Sequence, residues 1–341
     1  MLEWVMLASV LRAVNDIGLE ERPVPTLGPR DVLVQLTAVG VCGSDVHYFE
    51  HGRIGNHVVR EPLVLGHEPA GRVVAVGEHV SEREVGQRVS IEPGVPCLSC
   101  EQCLTGRYNL CPRMRFLATP PIDGAFCEYI AVLETFAHPV PDHISDDAAA
   151  MLEPLSVGIW ACRKGRVGPR TNVLVNGAGP VGLLAAQTAL AFGATEVVVA
   201  DVNQDRLQLA ARLGATTTID VAVTTLADSD IEPHVLLECS GHPEATAAAI
   251  RMLAPAGRAV LVGMGADVLP LPLAHVQDRE LEVVGIFRYA NTWPTAIQLA
   301  ASGRVALDPL VTGHYPLSAV RAALTASSTD PTTVKVVVIP T

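Results

Sequence analysis

The chain has 341 residues, too many for one ordinary hydrophobic core, so two domains are the starting expectation. Hydrophobic residues make up 49%, with 28 glycines and 25 prolines, the texture of a loop-rich globular protein rather than a disordered or fibrous one. The net charge of −12, with no basic cluster set against it, excludes a large sequence-independent nucleic-acid surface. The start lacks a basic segment leading into an apolar run and cleavage site, and no apolar stretch is long enough to span a membrane. A cytoplasmic protein with no membrane partner is therefore expected. In that reducing compartment, clustered cysteines point to metal or redox chemistry rather than to disulfides.

From about residue 5 to 140 the sequence consists of short β-like runs broken by glycine and proline, among them "DVLVQLTAVGVC", "AGRVVAVG" and "QRVSIEPG". These predict a mostly antiparallel β domain with long loops. Within it, "GVCGSDVHY" and "LGHEPAG" place Cys42, His67 and Glu68: a soft sulfur, an imidazole and a carboxylate, a donor set suited to zinc. Taken singly, Cys42 has a plain reading as a buried thiol, and a lone Gly-His-Glu is weak evidence of anything. The next signal is denser. "PCLSCEQCLTGRYNLCP" carries Cys97, Cys100, Cys103 and Cys111 in C-x2-C-x2-C-x7-C spacing. Four thiolates saturate a tetrahedral zinc and leave no open position, so this site is expected to hold a loop in shape and do no chemistry. A redox pair would not need four thiols.

"DDAAAMLEPLSVGIWACRKG" reads as helical, and the texture then changes. Strands "TNVLVNGAG", "EVVVADV", "TTTID", "HVLLECSG", "AGRAVLVGM" and "LEVVGIF" are interleaved with helices "GPVGLLAAQTALAFGA", "QDRLQLAARLGA" and "PEATAAAIRMLA". That alternation predicts a parallel, doubly wound sheet. "GAGPVG" sets Gly177, Gly179 and Gly182 in G-x-G-x-x-G spacing between strand and helix, and Asp201 ends the following strand. Gly177 permits the tight turn, Gly179 lets backbone approach a pyrophosphate, and Gly182 lets the helix pack closely. The helix N-terminus supplies free N–H groups to the phosphates. A carboxylate at Asp201 would bond the adenosine ribose hydroxyls and repel a 2′-phosphate, favouring NAD over NADP; Arg206 is read as an adenosine-side contact. The tail ends in "TTVKVVVIP", a further strand.

Over essentially its whole length this arrangement resembles the zinc-dependent medium-chain dehydrogenases, and within them the sorbitol and xylitol (polyol) dehydrogenase branch. The stretches that carry the resemblance are "GVCGSDVHY", "HGRIG", "VLGHE", "GRYNLCP", "FLATPPIDGAF", "LEPLSVGI" and "GIFRYANTWP". The resemblance implies an α/β protein with a GroES-like β-rich catalytic domain (1–154, with a structural-zinc lobe at about 92–113), a Rossmann domain (155–286) and a C-terminal segment (287–341) that completes the catalytic domain. It implies two zinc ions per chain and NAD as cofactor. Cys42, His67 and Glu68 would lie at the catalytic zinc, with Glu153 as a fourth ligand or a partner of the zinc-bound water, and Asp45 would orient His67. Tyr48, Phe116, Thr119, Arg288 and Tyr289 match substrate-pocket positions. Val181, Asp201, Arg206, Val262, Gly263, Met264, Ile286, Phe287 and Arg288 match cofactor contacts. Animal members of the branch lack the full four-cysteine set that this chain carries.

The implied activity is reversible NAD-dependent oxidation of a polyol (sorbitol/L-iditol or xylitol type) at a secondary alcohol to the ketose. The proton would leave through Glu153 and a water or through Ser44 and His47. A homotetramer is implied. Two enzyme readings compete, a primary-alcohol dehydrogenase and an L-threonine dehydrogenase of similar build; from a different class, a non-catalytic NAD-binding protein would keep the fold without the ligand set.

Overall fold

The structure, a computed structural model, describes residues 4–265 and 268–340. It divides into two units, Met1–Glu153 together with Leu307–Thr341, and Pro154–Ala306.

The central strand of the first unit, Asp31–Gly40, shows why it forms: Val32, Val34, Leu36 and Ala38 alternate inward and all four are fully buried. Burying each valine or leucine side chain contributes about 1.5–3 kcal/mol. Its neighbours are Glu68–Val76 and Lys335–Ile339, both antiparallel to it, and Tyr129–Leu133 also pairs with it. Arg88–Ile91 with Ala137–Pro139, and Val311–Pro316, extend the sheet on either side. A second, three-stranded sheet is built from Val5–Ala13, Asp16–Pro23 and Leu63–Val64. This is the β-rich unit expected from the Gly- and Pro-broken runs.

The second unit is a six-stranded parallel sheet. In spatial order its strands are Thr217–Asp220, Glu196–Asp201, Asn172–Asn176, Val235–Glu238, Arg258–Leu261 and Glu282–Gly285. Numbered along the chain this is 3-2-1-4-5-6, the doubly wound dinucleotide-binding order. The strands read as continuous apolar runs because both faces are covered: Val173, Leu174, Val175, Val197, Val199, Ala200, Leu236 and Leu237 are fully buried. Helix Pro180–Ala191 begins with proline, whose missing N–H costs nothing there, and its apolar residues surround it because it is buried on nearly all sides.

Two expectations need correction. The single helix read across residues 146–165 is two, Asp146–Ala150 capped by Ser145 and Leu152–Gly165, separated at Met151. Pro154 explains the restart, since it fits the first turn of a new helix but not the interior of a continuous one. The return to the first unit comes at Leu307, so residues 287–306, expected with the catalytic domain, belong to the Rossmann unit. They are tied there by hydrogen bonds: Arg163 donates to the Asn291 carbonyl (2.8 Å) and to Thr295 Oγ1 (2.9 Å). Gln187 exchanges two bonds with the backbone of Ala306 (2.8 and 3.1 Å). Among the described residues, no helix is long and apolar enough to cross a membrane.

Candidate functional site

The chain leaves the central strand at Gly40 and turns through Cys42 into helix Gly43–His51. Two loops away, Gly66 and His67 lead into strand Glu68–Val76. One buried carboxylate ties these loops together. Asp45 Oδ2 accepts from the Cys42 N–H (3.0 Å) and Oδ1 accepts from the Gly66 N–H (2.9 Å), and Oδ1 lies 3.4 Å from His67 Nδ1. Asp45 thus occupies Nδ1 of His67 and leaves Nε2 as the ligand nitrogen. Burial pushes the Asp45 carboxyl up, but His67 and the two backbone N–H groups outweigh it and hold it below the usual range. Burial pushes His67 down, while Asp45 and the Cys42 sulfur more than reverse this and hold it well above its ordinary value.

One donor atom from each of Cys42, His67 and Glu68 lies within 4.8 Å of the others, with His67 and Glu68 buried and Cys42 half-buried. Thiolate, imidazole and carboxylate converging with two of the three buried fit a catalytic zinc, which needs three protein ligands and an open position. Glu153 is buried as well but is not among the three donors brought this close. Phe116 packs on His67 with ring centroids 5.8 Å apart, and Tyr48 is buried on the helix that follows Cys42. Thr119 and Ser44 are half-buried and His47 is exposed, its ring 4.5 Å from that of His51.

Glu68 has a partner that its sequence neighbourhood did not announce. Lys335 Nζ lies 2.6 Å from Oε1 and 2.5 Å from Oε2, and both side chains are buried. The available signal was a lone lysine in "VKVVVIP", a charge inside an otherwise apolar strand.

The four cysteines of the lobe also converge. Their sulfurs lie within 4.8 Å of one another, with Cys100 to Cys103 at 3.4 Å and Cys97 to Cys103 at 3.9 Å. A tetrahedron of about 2.3 Å zinc–sulfur bonds has edges of about 3.8 Å, so the cluster is of the right size. The backbone N–H groups of Cys97 and Arg113 both donate to Cys111 Sγ (3.4 Å each), the pattern that stabilises a thiolate. All eight cysteines are free thiols. Glu92 fastens the lobe to the sheet: it accepts from Tyr108 Oη (2.7 Å) and meets His138 Nε2 (3.0 Å), and sequence reading had passed over it.

In the second unit the glycine loop sits at the end of the first parallel strand, where the strand order reverses. Gly177 has φ +103°, and a Cβ there would lie 2.8 Å from Ser240 N; at Gly182 it would lie 1.9 Å from the Gly177 carbonyl oxygen. At Gly179 it would meet nothing within 4 Å, so this glycine leaves open space rather than relieving a protein clash, as a pyrophosphate approach requires. Asp201 is more engaged than expected: Oδ2 accepts from Ala178 N (2.5 Å) and Oδ1 from Asn203 N (2.8 Å), so the carboxylate also braces the loop. Arg206 stands in the first turn of helix Gln204–Arg212, its N–H bonded to the capping Asn203 side chain (3.1 Å). Val181 is half-buried at the start of helix Pro180–Ala191. Val262, Gly263 and Met264 follow strand Arg258–Leu261, and Ile286, Phe287 and Arg288 follow Glu282–Gly285, at the carboxyl ends where such sheets bind ligands. Arg288 adopts φ 52° and lies over the Phe287 ring (4.7 Å), while Tyr289 is buried against Trp293 (5.5 Å).

Residues 28–142 match the "Alcohol dehydrogenase GroES-like domain" and residues 180–302 match "Zinc-binding dehydrogenase". The sorbitol dehydrogenase of Mus musculus is 47% identical over 319 residues, covering 91% of this chain and 89% of that protein. That of Bacillus subtilis is 42% identical over 327 residues, covering 94% and 92%. Among solved structures, L-idonate 5-dehydrogenase from Escherichia coli superposes with a TM-score of 0.94 at 29% identity, over 99% of both chains. With its two domains matched in order, its metal-ligand groups assembled and these relatives aligned nearly end to end, the chain belongs to the zinc-dependent medium-chain dehydrogenases, in the branch that holds the sorbitol dehydrogenases.

Proposed function

We propose that this chain oxidises a polyol of the sorbitol/L-iditol or xylitol type at a secondary alcohol to the ketose, reversibly, with NAD as hydride acceptor. The observation that carries the reading is the convergence of Cys42, His67 and Glu68 around an Asp45 brace, in a chain 42 and 47% identical to two sorbitol dehydrogenases.

Cys42 and His67, with Glu68 and Glu153 as the acidic candidates, would hold the catalytic zinc. When bound, zinc supplies Lewis-acid polarisation of the alcohol oxygen. Asp45 fixes the His67 ring so that one nitrogen always faces the metal side. Phe116 and Tyr48 would give the substrate apolar contacts near His67, and Thr119 a hydroxyl. Ser44 and the exposed His47 form one route by which the hydroxyl proton reaches solvent; the buried Glu153 with a water is the other. The residues after strands Asn172–Asn176, Arg258–Leu261 and Glu282–Gly285 would hold NAD, which when bound would supply the hydride acceptor for the carbinol carbon. Arg288 and Tyr289 would hold the remaining hydroxyls. The left-handed backbone at Arg288 supports a selected role for that segment, since non-glycine residues take this conformation at a cost of about 1–2 kcal/mol. Asp201 favours NAD. A second zinc in the four-cysteine lobe and a homotetrameric, cytoplasmic enzyme complete the proposal. The assembly is supported by the outer strand Glu282–Gly285, paired only with Arg258–Leu261 among the described residues, and by exposed Leu271 and Leu273 before it.

The test is NADH formation by zinc-loaded protein with sorbitol, xylitol, other pentitols and hexitols, ethanol and threonine, each with NAD and with NADP. Polyols should win with NAD. If ethanol or threonine wins instead, the metal and dinucleotide sites stand and the polyol pocket falls.

A further inference from the structure

We propose that Lys335 is a positioning residue of the metal site: it competes with the metal for the Glu68 carboxylate and so keeps Glu68 an exchangeable ligand rather than a permanent one. This rests on the zinc reading of Cys42, His67 and Glu68.

Three adjacent strands build the arrangement. Glu68 stands opposite Gly40 on one side of the central strand, and Val337 stands opposite Gly40 on the other. Lys335, two residues before Val337, shares its face. A Cβ on Gly40 would lie 1.9 Å from Glu68 Oε2 and 3.1 Å from Lys335 Cε. Gly40 is not in the left-handed region, so its backbone does not demand glycine; the space above it does. Through that gap the carboxylate reaches across the central strand to the ammonium on the far side.

Lys335 donates a hydrogen bond to Glu68 Oε1 and lies 2.5 Å from Oε2 as an ion pair, while Oε2 is buried without a hydrogen bond; the two side chains are 3% and 1% exposed. Neither charge has water to fall back on, and taking one partner away leaves the other uncompensated. For Glu68 the alternative cation is the metal bound by Cys42 and His67, whose ligand atoms lie within 4.8 Å of it. Lysine and metal therefore draw on the same two oxygens. A site that must admit a substrate oxygen gains from a ligand that another cation can take back.

The experiment measures zinc retention against a chelator, and the visible spectrum of the cobalt-substituted protein, for wild type, Lys335→Met, Lys335→Arg, Glu68→Gln and the Lys335→Met/Glu68→Gln double variant. Lys335→Met should hold the catalytic-site metal about tenfold or more tightly than wild type, and its cobalt bands should weaken as Glu68 raises the coordination number. Lys335→Arg, which keeps the charge, should stay near wild type. The double variant should lose the gain. Unchanged or weaker retention in Lys335→Met overturns the proposal, as does a gain that survives removal of the carboxylate. Should Lys335→Met fail to fold, Glu68→Gln decides: an exchangeable ligand costs less than about tenfold in retention, and a larger loss marks a permanent one. Wild type that binds zinc only in the four-cysteine lobe would remove the zinc reading itself, a result distinct from the others.

Discussion

Cys42 supplies one of three candidate donor atoms brought within 4.8 Å of one another, and its removal has a defined signature. Cys42→Ala should reduce turnover to background and release about one zinc per chain while leaving the second unit folded, checked by metal analysis and circular dichroism. Gly40→Ala tests the space over the central strand. Its new Cβ cannot coexist with Glu68 and Lys335 as they stand, so a loss of about 1–3 kcal/mol in denaturant unfolding is expected, with the buried pair displaced. The first unit's cysteines differ in reactivity. A backbone N–H from Ser99, set against burial and helped by the Ser99 hydroxyl, Cys111 and Arg113, brings the Cys97 thiol down to about 5, whereas burial drives Cys127 up to about 12. After chelation Cys97 should be alkylated first, at a rate nearly flat from about pH 6 to 9, with Cys127 protected until unfolding; mass spectrometry reads both. Asp45 and His67 give a pH dependence whose sign follows from opposite shifts. His67 is raised, so its contribution is complete below its ordinary value of about 6.5 and fades as pH rises through the folded value. Asp45 is depressed, so its contribution is present above the carboxylate range and fades as pH falls through its folded value. In metal-free protein, the stability lost in Asp45→Asn should therefore be larger at about pH 6 than at about pH 10, measured as a difference in Tm.

Elements carry the site as much as residues do. The lobe around residues 97–111 contains one four-residue helix and a single turn of 3-10 helix, too little structure to hold itself together alone, so a metal in its four-cysteine cluster would contribute directly to its folding. Cys100→Ser should make this segment the first site of limited proteolysis and lower the yield of soluble protein, while the parallel sheet keeps its spectrum; a protease-resistant lobe would count against a structural metal. This element was legible because ligand spacing is local, written within seventeen residues of sequence. The strand–loop–helix carrying Gly177, Gly179 and Gly182 was legible for the same reason. Glu92 and Lys335 were not. Glu92 looks like an ordinary surface charge in its own segment, and Lys335, though a lone charge in an apolar strand, shows no partner there; each acquires meaning only from distant elements: Tyr108 and His138 for one, Glu68 across 267 positions for the other. The break at Met151 was hidden too, because Ala-rich periodicity runs unbroken across it and the restart rests on a single proline.

At the scale of the whole molecule, the switch from antiparallel to alternating β and α texture was enough to expect a parallel, doubly wound sheet after the β-rich part; its 3-2-1-4-5-6 strand order comes from the structure. The position of residues 287–306 was not legible, since their assignment rests on side-chain bonds from Arg163 and Gln187, more than a hundred residues away. Cofactor choice belongs to this scale because the second unit serves it. Asp201→Ser should relax the preference for NAD, and it should also loosen the glycine loop that Asp201 braces, so the Michaelis constants for both cofactors should rise while their ratio narrows. An unchanged ratio of NAD to NADP efficiency would contradict the ribose contact. The division into units also sets an order of biosynthesis. The Rossmann unit is one continuous stretch, Pro154–Ala306, whereas the first unit needs Leu307–Thr341 to supply strand Lys335–Ile339 beside Gly40. During translation, therefore, the second unit can finish folding on the ribosome while the first waits, its central strand open on one edge and Glu68 still without Lys335.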